Sequence, residues 1–190
     1  MSPVWFLIAA VLLLPLPAIA EQDKQDPCDN SADQGLPDAI KRVLSKKFPT
    51  QRPLRLDDLS EDDQGLWVQA KGQICPGYVM GHFVSDKFLS YAVILTNINA
   101  PMGYTLVSVN EVTKGQYKID LVFKDEHKDS GTLTLYPVVW SLPPGEYQDF
   151  YDSKKILRTR HDGIVLERLE AWSVLYYWNR AKFLRWTLSD

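Results

Sequence analysis

The sequence has little histidine, and it contains none of the common catalytic motifs. The three histidines, His82, His127 and His161, lie far apart, and none has a second ligand at the spacing that metal sites use. There is no HExxH, GxSxG, Walker A or glycine-rich dinucleotide motif. We therefore expect no metal ion, no cofactor and no enzyme activity. A hydrolase with dispersed catalytic residues stays open, because catalytic triads are recognised by geometry and not by sequence position.

An excess of positive charge is also lacking. Lysine and arginine number 21 against 24 aspartates and glutamates, which gives a formal net charge of −3. Nucleic-acid-binding domains usually carry a basic face, so we expect no nucleic-acid partner. Hydrophobic residues make up 45% of the chain and aromatic residues 12%, which is typical of a globular protein and not of a disordered one.

The first twenty residues, MSPVWFLIAAVLLLPLPAIA, contain no charged side chain. Their apolar run is short and is broken by Pro15 and Pro17, and Ala18-Ile19-Ala20 has the small-x-small pattern of a cleavage site. Residues 1–20 are therefore interpreted as a signal peptide cleaved after Ala20, with an uncleaved membrane anchor as the alternative. We expect a periplasmic protein of a Gram-negative bacterium with no stable membrane anchor after cleavage.

Cysteine is scarce as well: Cys28 and Cys75 are the two in the chain. In an oxidising compartment an even number of cysteines favours a disulfide. Closing a loop of roughly 46 residues would stabilise the fold by about 3–4 kcal/mol in the chain-entropy treatment. The alternative, a metal or redox pair, lacks a CxxC motif.

A polar arm, residues 21–35, precedes one globular domain, residues 36–190. In LPDAIKRVLSKKF, apolar side chains recur every three or four residues, Asp38 lies in the first turn, and Lys46 and Lys47 lie in the last. Period, charge placement and the following Pro49 predict an amphipathic helix.

The remainder is dominated by short segments rich in β-branched and aromatic residues, separated by turn residues. They predict strands at 66–72, 78–83, 90–97, 103–112, 116–125, 131–140, 163–169, 173–179 and 182–188. This spacing indicates an α+β, mostly β fold: an antiparallel meander, packed sheet on sheet or as a barrel, with one N-terminal amphipathic helix. The run Ala92–Leu95 suits a strand covered on both faces, whereas the alternation in Tyr117–Phe123 predicts one buried and one wet face.

Two charged segments are candidates for function. The acidic run 57–63, DDLSEDD, resembles a cation site but lacks a glycine turn that would fold the carboxylates inward, so it predicts a solvated loop. The basic run 154–161, KKILRTRH, follows a proline-led segment that holds three aromatic residues. Tyrosine and arginine are favoured at protein interfaces. This segment predicts a partner-binding surface, or alternatively a loop that covers one end of a sheet; the candidate contact residues are Tyr147, Phe150, Tyr151, Arg158 and Arg160.

The C-terminal stretch, residues 175–190, predicts an aromatic hairpin. Alternation places Tyr177 on the face opposite Tyr176 and Trp178, with Phe183 and Trp186 on the returning strand. Aromatic cross-strand pairs stabilise sheets, which favours a core role over a ligand cage.

The stretch GHFVSDKFLSYAVIL, residues 81–95, resembles the calcium loop of FG-GAP repeats from integrin-type propellers. It matches the repeat at Gly81, Phe83, Asp86, 91–93 and Leu95, but His82, Val84 and Ser90 occupy ligand positions and Lys87 replaces the turn glycine. One remaining acid does not supply the oxygens that calcium requires. The resemblance therefore implies a turn that leads into a buried strand and binds no calcium.

The chain also resembles a group of small exported bacterial proteins that carry one such repeat-like segment and have no established common activity. The shared features are KKFP (46–49), CPG (75–77), DGI (162–164) and the terminal aromatic hairpin (176–190). They imply a fold and a compartment. We expect a protein that binds another protein, most concretely an inhibitor or immunity protein against a secreted toxin or effector enzyme. A module that binds envelope carbohydrate or peptidoglycan, and a hydrolase, remain the alternatives.

Overall fold

The computed structural model describes residues 27–28, 35–98, 103–125 and 135–190. The predicted signal peptide, residues 1–20, lies outside this part of the chain, as do residues 21–26 and 29–34 of the predicted arm. Among the described residues, no helix has both the length and the apolar character needed to cross a membrane.

In the described part of the chain, two antiparallel sheets and a two-stranded ribbon are accompanied by two α-helices. The elements are α1 (Asp38–Lys47), β1 (Gln51–Pro53), a 3₁₀ turn (Leu56–Asp58), α2 (Glu61–Lys71), β2 (Tyr78–Gly81), β3 (Ser90–Asn97), β4 (Tyr104–Thr113), β5 (Gln116–Asp125), β6 (Val138–Leu142), β7 (Glu146–Gln148), β8 (Ile156–Arg158), β9 (Gly163–Arg168), β10 (Trp172–Trp178) and β11 (Phe183–Ser189). The predicted mostly β, antiparallel class is confirmed.

In the larger sheet, β3 lies between β4 on one side and both β1 and β2 on the other, and β5 follows β4. The smaller sheet has the order β11-β10-β9-β6. Strand β3 is covered on both faces, as its apolar run predicts. Ala92 and Ile94 lie in the core between the sheets, whereas Val93 and Leu95 pack under Ile40 and Leu44 of α1. The apolar stripe of α1 is therefore buried against the outer face of the larger sheet.

The alternation predicted for β5 is interrupted by a bulge. Leu106 pairs with Phe123 but Val107 pairs with Leu121, so Val122 is the extra residue. Val122 and Phe123 both pack against the core between the sheets. Leu121 stays on the α1 side of the sheet with Ile119, as alternation predicts, but it is 61% exposed. The bulge turns Phe123 to the opposite face.

The predicted strand 66–72 is wrong, because these residues belong to α2. Ser60 caps the helix by accepting a hydrogen bond from the Asp63 backbone N–H (3.1 Å), and Gly72, with φ +73°, ends it. Trp67 is buried in the core between the sheets, and its indole N–H donates to the Ile74 carbonyl at 2.7 Å. The carboxylates of the first turn complement the helix dipole.

The acidic run 57–63 is accordingly not the solvated loop that the sequence predicts. Its first part forms the 3₁₀ turn and its last part begins α2. Asp58 accepts two hydrogen bonds of 2.6 Å from the guanidinium of Arg52, and this bond raises the pKa of Arg52 above its ordinary value. Asp63 is 8% exposed and accepts from the Ser60 hydroxyl at 2.8 Å.

The C-terminal aromatic residues divide between two faces of the smaller sheet, as alternation predicts. Tyr176 is buried in the core between the sheets, whereas Tyr177 and Trp186 pack on the opposite face. Trp178 lies directly across from Phe183, with ring centroids 5.1 Å apart. These aromatic residues contribute to packing, which agrees with the predicted core role.

The predicted disulfide between Cys28 and Cys75 is present. Cys75 is buried beneath α1 beside Leu36 and Tyr78, and Cys28 packs against the same cluster. The bond therefore fastens the segment before α1 to the sheet that α1 covers.

Candidate protein interface

The proline-led segment that the sequence singles out contains the ribbon β7–β8. It leaves the smaller sheet after β6 and returns at β9. Its paired residues are Glu146 with Arg158, Tyr147 with Leu157, and Gln148 with Ile156. Since successive side chains of a strand point to opposite faces, the ribbon has an inner and an outer face.

The inner face of the ribbon packs on the smaller sheet. Leu157 is buried with Val165 and Leu175, and Tyr147 packs against this cluster. The Tyr147 phenol donates to the Pro143 carbonyl, and burial, followed by the nearby Asp162 charge, raises the pKa of this phenol. The structure thus places Tyr147 under the ribbon, where it supports the ribbon and does not contribute to the outer surface.

Phe150 and Tyr151 lie at the tip of the ribbon and are 50% and 68% exposed. Their rings are 5.2 Å apart and nearly perpendicular, at 83°. Hydrogen bonds hold the tip. Within it, the Asp149 carboxylate accepts from the backbone N–H groups of Tyr151 and Asp152 at 3.0 Å. Towards the C-terminal hairpin, Phe150 N–H donates to the Thr187 carbonyl at 3.2 Å, and the Tyr151 phenol donates to the Asp190 carboxylate. The exposed rings are therefore presented by an ordered tip that is fastened to β11.

The two predicted arginines lie away from the tip. Arg158 is on the outer face of the ribbon, where its Nε donates to Glu146 at 2.7 Å, and its side chain is 77% exposed. Arg160 is exposed and follows β8 at the base of the ribbon. Ile156 was missed by sequence reasoning although it is 55% exposed on the same outer face. Its exposure follows from its position next to the buried Leu157, because neighbouring residues of a strand point to opposite faces.

The FG-GAP-like loop, residues 82–89, lies against the base of the ribbon. His82 N–H donates to the Asp162 carboxylate at 2.6 Å, and Asp162 N–H donates back to the His82 carbonyl at 3.2 Å. His161 Nδ1 lies 2.8 Å from the Asp86 carboxylate. Phe83 is fully buried in the core between the sheets and anchors the loop. The loop is thus held by one buried ring and by polar contacts to His161 and Asp162 at the base of the ribbon.

His82 Nδ1 lies 3.3 Å from the Ser85 carbonyl and 3.2 Å from the Phe88 carbonyl, which closes the loop on itself. Within the described ranges, no group of three or more histidine, cysteine, aspartate or glutamate side chains is arranged to hold a metal ion. Asp86, the acid that remains of the FG-GAP pattern, is bonded to His161.

Comparison with known proteins gave no family: no family model, no curated protein and no solved structure matches the chain.

Proposed function

We propose that this chain is an exported, periplasmic protein that acts by binding another protein, most concretely as an inhibitor or immunity protein that neutralises a secreted toxin or effector enzyme. The observation that carries the proposal is the tip of the ribbon, where two aromatic rings are exposed on an ordered support. Aromatic residues dominate the binding energy of protein interfaces when a partner buries them.

The order of the tip favours binding. Ordering a loop or a side chain on association costs free energy, and a surface that is already ordered avoids this cost. The tip is connected by two hydrogen bonds to the C-terminal hairpin: the Phe150 backbone N–H donates to Thr187 of β11, and the Tyr151 phenol donates to Asp190, which follows β11. A partner that buries the tip would therefore gain apolar contact with little loss of conformational entropy.

The geometry of the rings favours a protein partner over a glycan. A sugar ring stacks flat on an aromatic face, and a glycan-binding platform is extended when neighbouring rings are coplanar. Here the planes of Phe150 and Tyr151 stand at 83°. The pair forms a wedge that fits a concave apolar pocket better than a flat sugar.

The disulfide supports export, since such bonds persist in oxidising compartments such as the periplasm. Placement in the periplasm of a Gram-negative bacterium belongs to the proposal, together with the signal peptide at residues 1–20.

The proposal is tested by affinity capture from a periplasmic extract with the exported protein as bait, followed by mass spectrometry. The bait is compared with a Tyr151→Ala/Arg158→Ala variant and with a control, Met80→Ala/Ile98→Ala, which removes two exposed apolar side chains elsewhere. We expect one protein that the wild type and the control retain and the ribbon variant loses. Equal capture by all three folded proteins would refute the placement of the interface.

A hydrolase is the second candidate, because the structure brings His161 to a carboxylate. A histidine whose Nδ1 is held by an acid is the arrangement that orients a general base. The test is hydrolysis of p-nitrophenyl acetate and of purified peptidoglycan by the wild type, His161→Gln and Asp86→Asn. Activity that disappears in both variants would favour the enzyme; activity absent from all three would leave the binding proposal in place.

A further inference from the structure

A groove of about 440 Å³ lies on the outer face of the larger sheet, next to the last turn of α1. It is distant in the fold from the ribbon, which packs on the smaller sheet. Helix α1 covers the β3 and β4 side of this face and leaves part of β5 uncovered. The lining residues are Lys47, Phe48, Gln51, Thr105, Ile119, Leu121 and Lys124.

The floor of the groove is apolar. Leu121 faces this side, two residues after Ile119 on the same strand, and is 61% exposed. Ile119 and the ring of Phe48 continue the apolar surface. Leaving a leucine this exposed forgoes the stabilisation that its burial would give. An apolar ligand on the groove would recover that stabilisation.

The rim of the groove is cationic. Lys47 lies on the rim, and the lining, which lies wholly within the described residues, contains no aspartate or glutamate. The Lys47 ammonium donates to the Ile119 carbonyl at 3.2 Å, so it is held next to an apolar residue of the floor. The whole chain carries a net charge of −3, so acidic residues outnumber basic ones in the sequence but not in the lining of the groove. The charge complements an anionic group.

The size of the groove favours a small molecule over a protein. Pockets for small ligands typically measure about 300–1,000 Å³. A standard protein interface uses roughly 20–30 residues on each side. Seven lining residues are too few for a protein interface, but they suit a pocket for a small ligand.

We propose that this groove binds a fatty acid, with the acyl chain lying on Phe48, Ile119 and Leu121 and the carboxylate paired with Lys47. Gln51 and Thr105 are joined by a hydrogen bond of 3.3 Å and close one end of the groove. The proposal does not depend on the partner-binding role of the ribbon, because the two surfaces share no residue.

The probe is laurate, used below its micellar concentration and followed by isothermal titration calorimetry. Each methylene that the groove covers strengthens binding by about two- to fourfold, so laurate should bind about four- to fifteenfold more tightly than decanoate. Dodecyltrimethylammonium has the same chain length with the opposite charge, and it should bind at least tenfold more weakly than laurate. Equal binding of the two amphiphiles would overturn the assignment of the rim.

The variants locate the site. Leu121→Glu introduces charge on the floor and should abolish laurate binding, and Lys47→Met keeps the aliphatic stem and should weaken binding at least threefold. Val112→Glu is the matched control, since Val112 is an exposed apolar residue of β4 outside the groove. Phe150→Ala/Tyr151→Ala tests whether laurate adheres to the tip of the ribbon instead. Unchanged affinity in Leu121→Glu with a wild-type circular dichroism spectrum, loss of affinity in the tip variant, or no binding to the wild type would each refute the proposal.

Discussion

The phenol of Tyr151 donates a hydrogen bond to the carboxylate of Asp190, 39 residues further along the chain. This bond connects the tip of the ribbon to the end of the C-terminal hairpin. Because the Phe150 backbone also bonds to Thr187 of β11, the tip is fastened to the C-terminal hairpin at two points. The ordered presentation of the two exposed rings therefore depends on residues outside the ribbon itself.

The bond between Tyr151 and Asp190 has a measurable consequence. The carboxylate accepts from the protonated phenol and opposes the phenolate charge, so the pKa of Tyr151 is raised above its ordinary value. We expect Asp190→Asn to lower this pKa and to speed backbone amide exchange in residues 150–152. Nuclear magnetic resonance measures both, and Ser189→Ala serves as the neighbouring control. An unchanged pKa in Asp190→Asn would contradict the bond.

Alkaline pH should destabilise the fold through buried tyrosines. Burial raises the pKa of Tyr176 to about 12, and that of Tyr104 is raised further, by burial and then by the Asp125 charge. A group whose pKa is higher in the folded than in the unfolded state leaves stability intact below the unfolded value of about 10 and lowers it above that value. The free energy of unfolding should therefore fall as pH rises from about 10 through 12.

The comparison with Tyr176→Phe isolates this effect. The variant lacks the ionisable phenol, so its free energy of unfolding should decline less steeply over the same pH range. Urea denaturation at a series of pH values gives the two curves. Parallel curves for wild type and variant would show that Tyr176 ionises equally in both states.

Removing the disulfide should destabilise the protein strongly. Cys28 and Cys75 are 47 residues apart, which corresponds to about 4 kcal/mol in the chain-entropy treatment. The double variant Cys28→Ser/Cys75→Ser, measured by urea denaturation, should lose about this amount. Wild type with dithiothreitol is the control for the effect of reduction alone. A loss of unfolding free energy below about 1 kcal/mol would mean that the disulfide does not restrict the unfolded chain.

Helix α2 is tested at Trp67, which is 1% exposed and bonded to Ile74. Replacing Trp67 with alanine should lower the free energy of unfolding by about 3–5 kcal/mol, since a large core side chain leaves a cavity. Gln69→Ala is the control on the exposed side of the same helix and should change stability by less than about 0.5 kcal/mol. If residues 66–72 formed a surface strand, the two variants would differ little.

The elements that sequence reasoning predicts best are those whose pattern is local. Strands 90–97 and 116–125 have in the structure the bounds that their composition predicts. Helix α2 was missed because Leu66, Trp67 and Val68 form a short apolar run that also suits a strand. Its local signals were nevertheless present: Ser60 at the cap, acids in the first turn, Lys71 in the last turn and Gly72 at the end.

The sequence predicted which segment contains the candidate site, but not how the side chains of that segment are arranged. Aromatic residues after Pro143 and Pro144 marked the region. Strands β7 and β8, with three residues each, are too short to show a period. The inward turn of Tyr147 depends on its pairing with Leu157, and the anchor at Asp190 is a contact between distant residues. Neither relationship is encoded in a local pattern. The bulge that places Phe123 on the opposite face from Leu121 is likewise set by pairing with β4.

The central claim is that the tip of the ribbon is the surface that binds a partner protein. Its most direct test is the dissociation constant of the partner identified by capture, measured for wild type, Phe150→Ala/Tyr151→Ala and the control Met80→Ala/Ile98→Ala. We predict at least about 30-fold weaker binding by the tip variant, the loss expected when interface aromatics that contribute 2 kcal/mol or more are removed. The control should stay within about threefold of wild type. Equal affinities for the wild type and a folded tip variant would contradict the account.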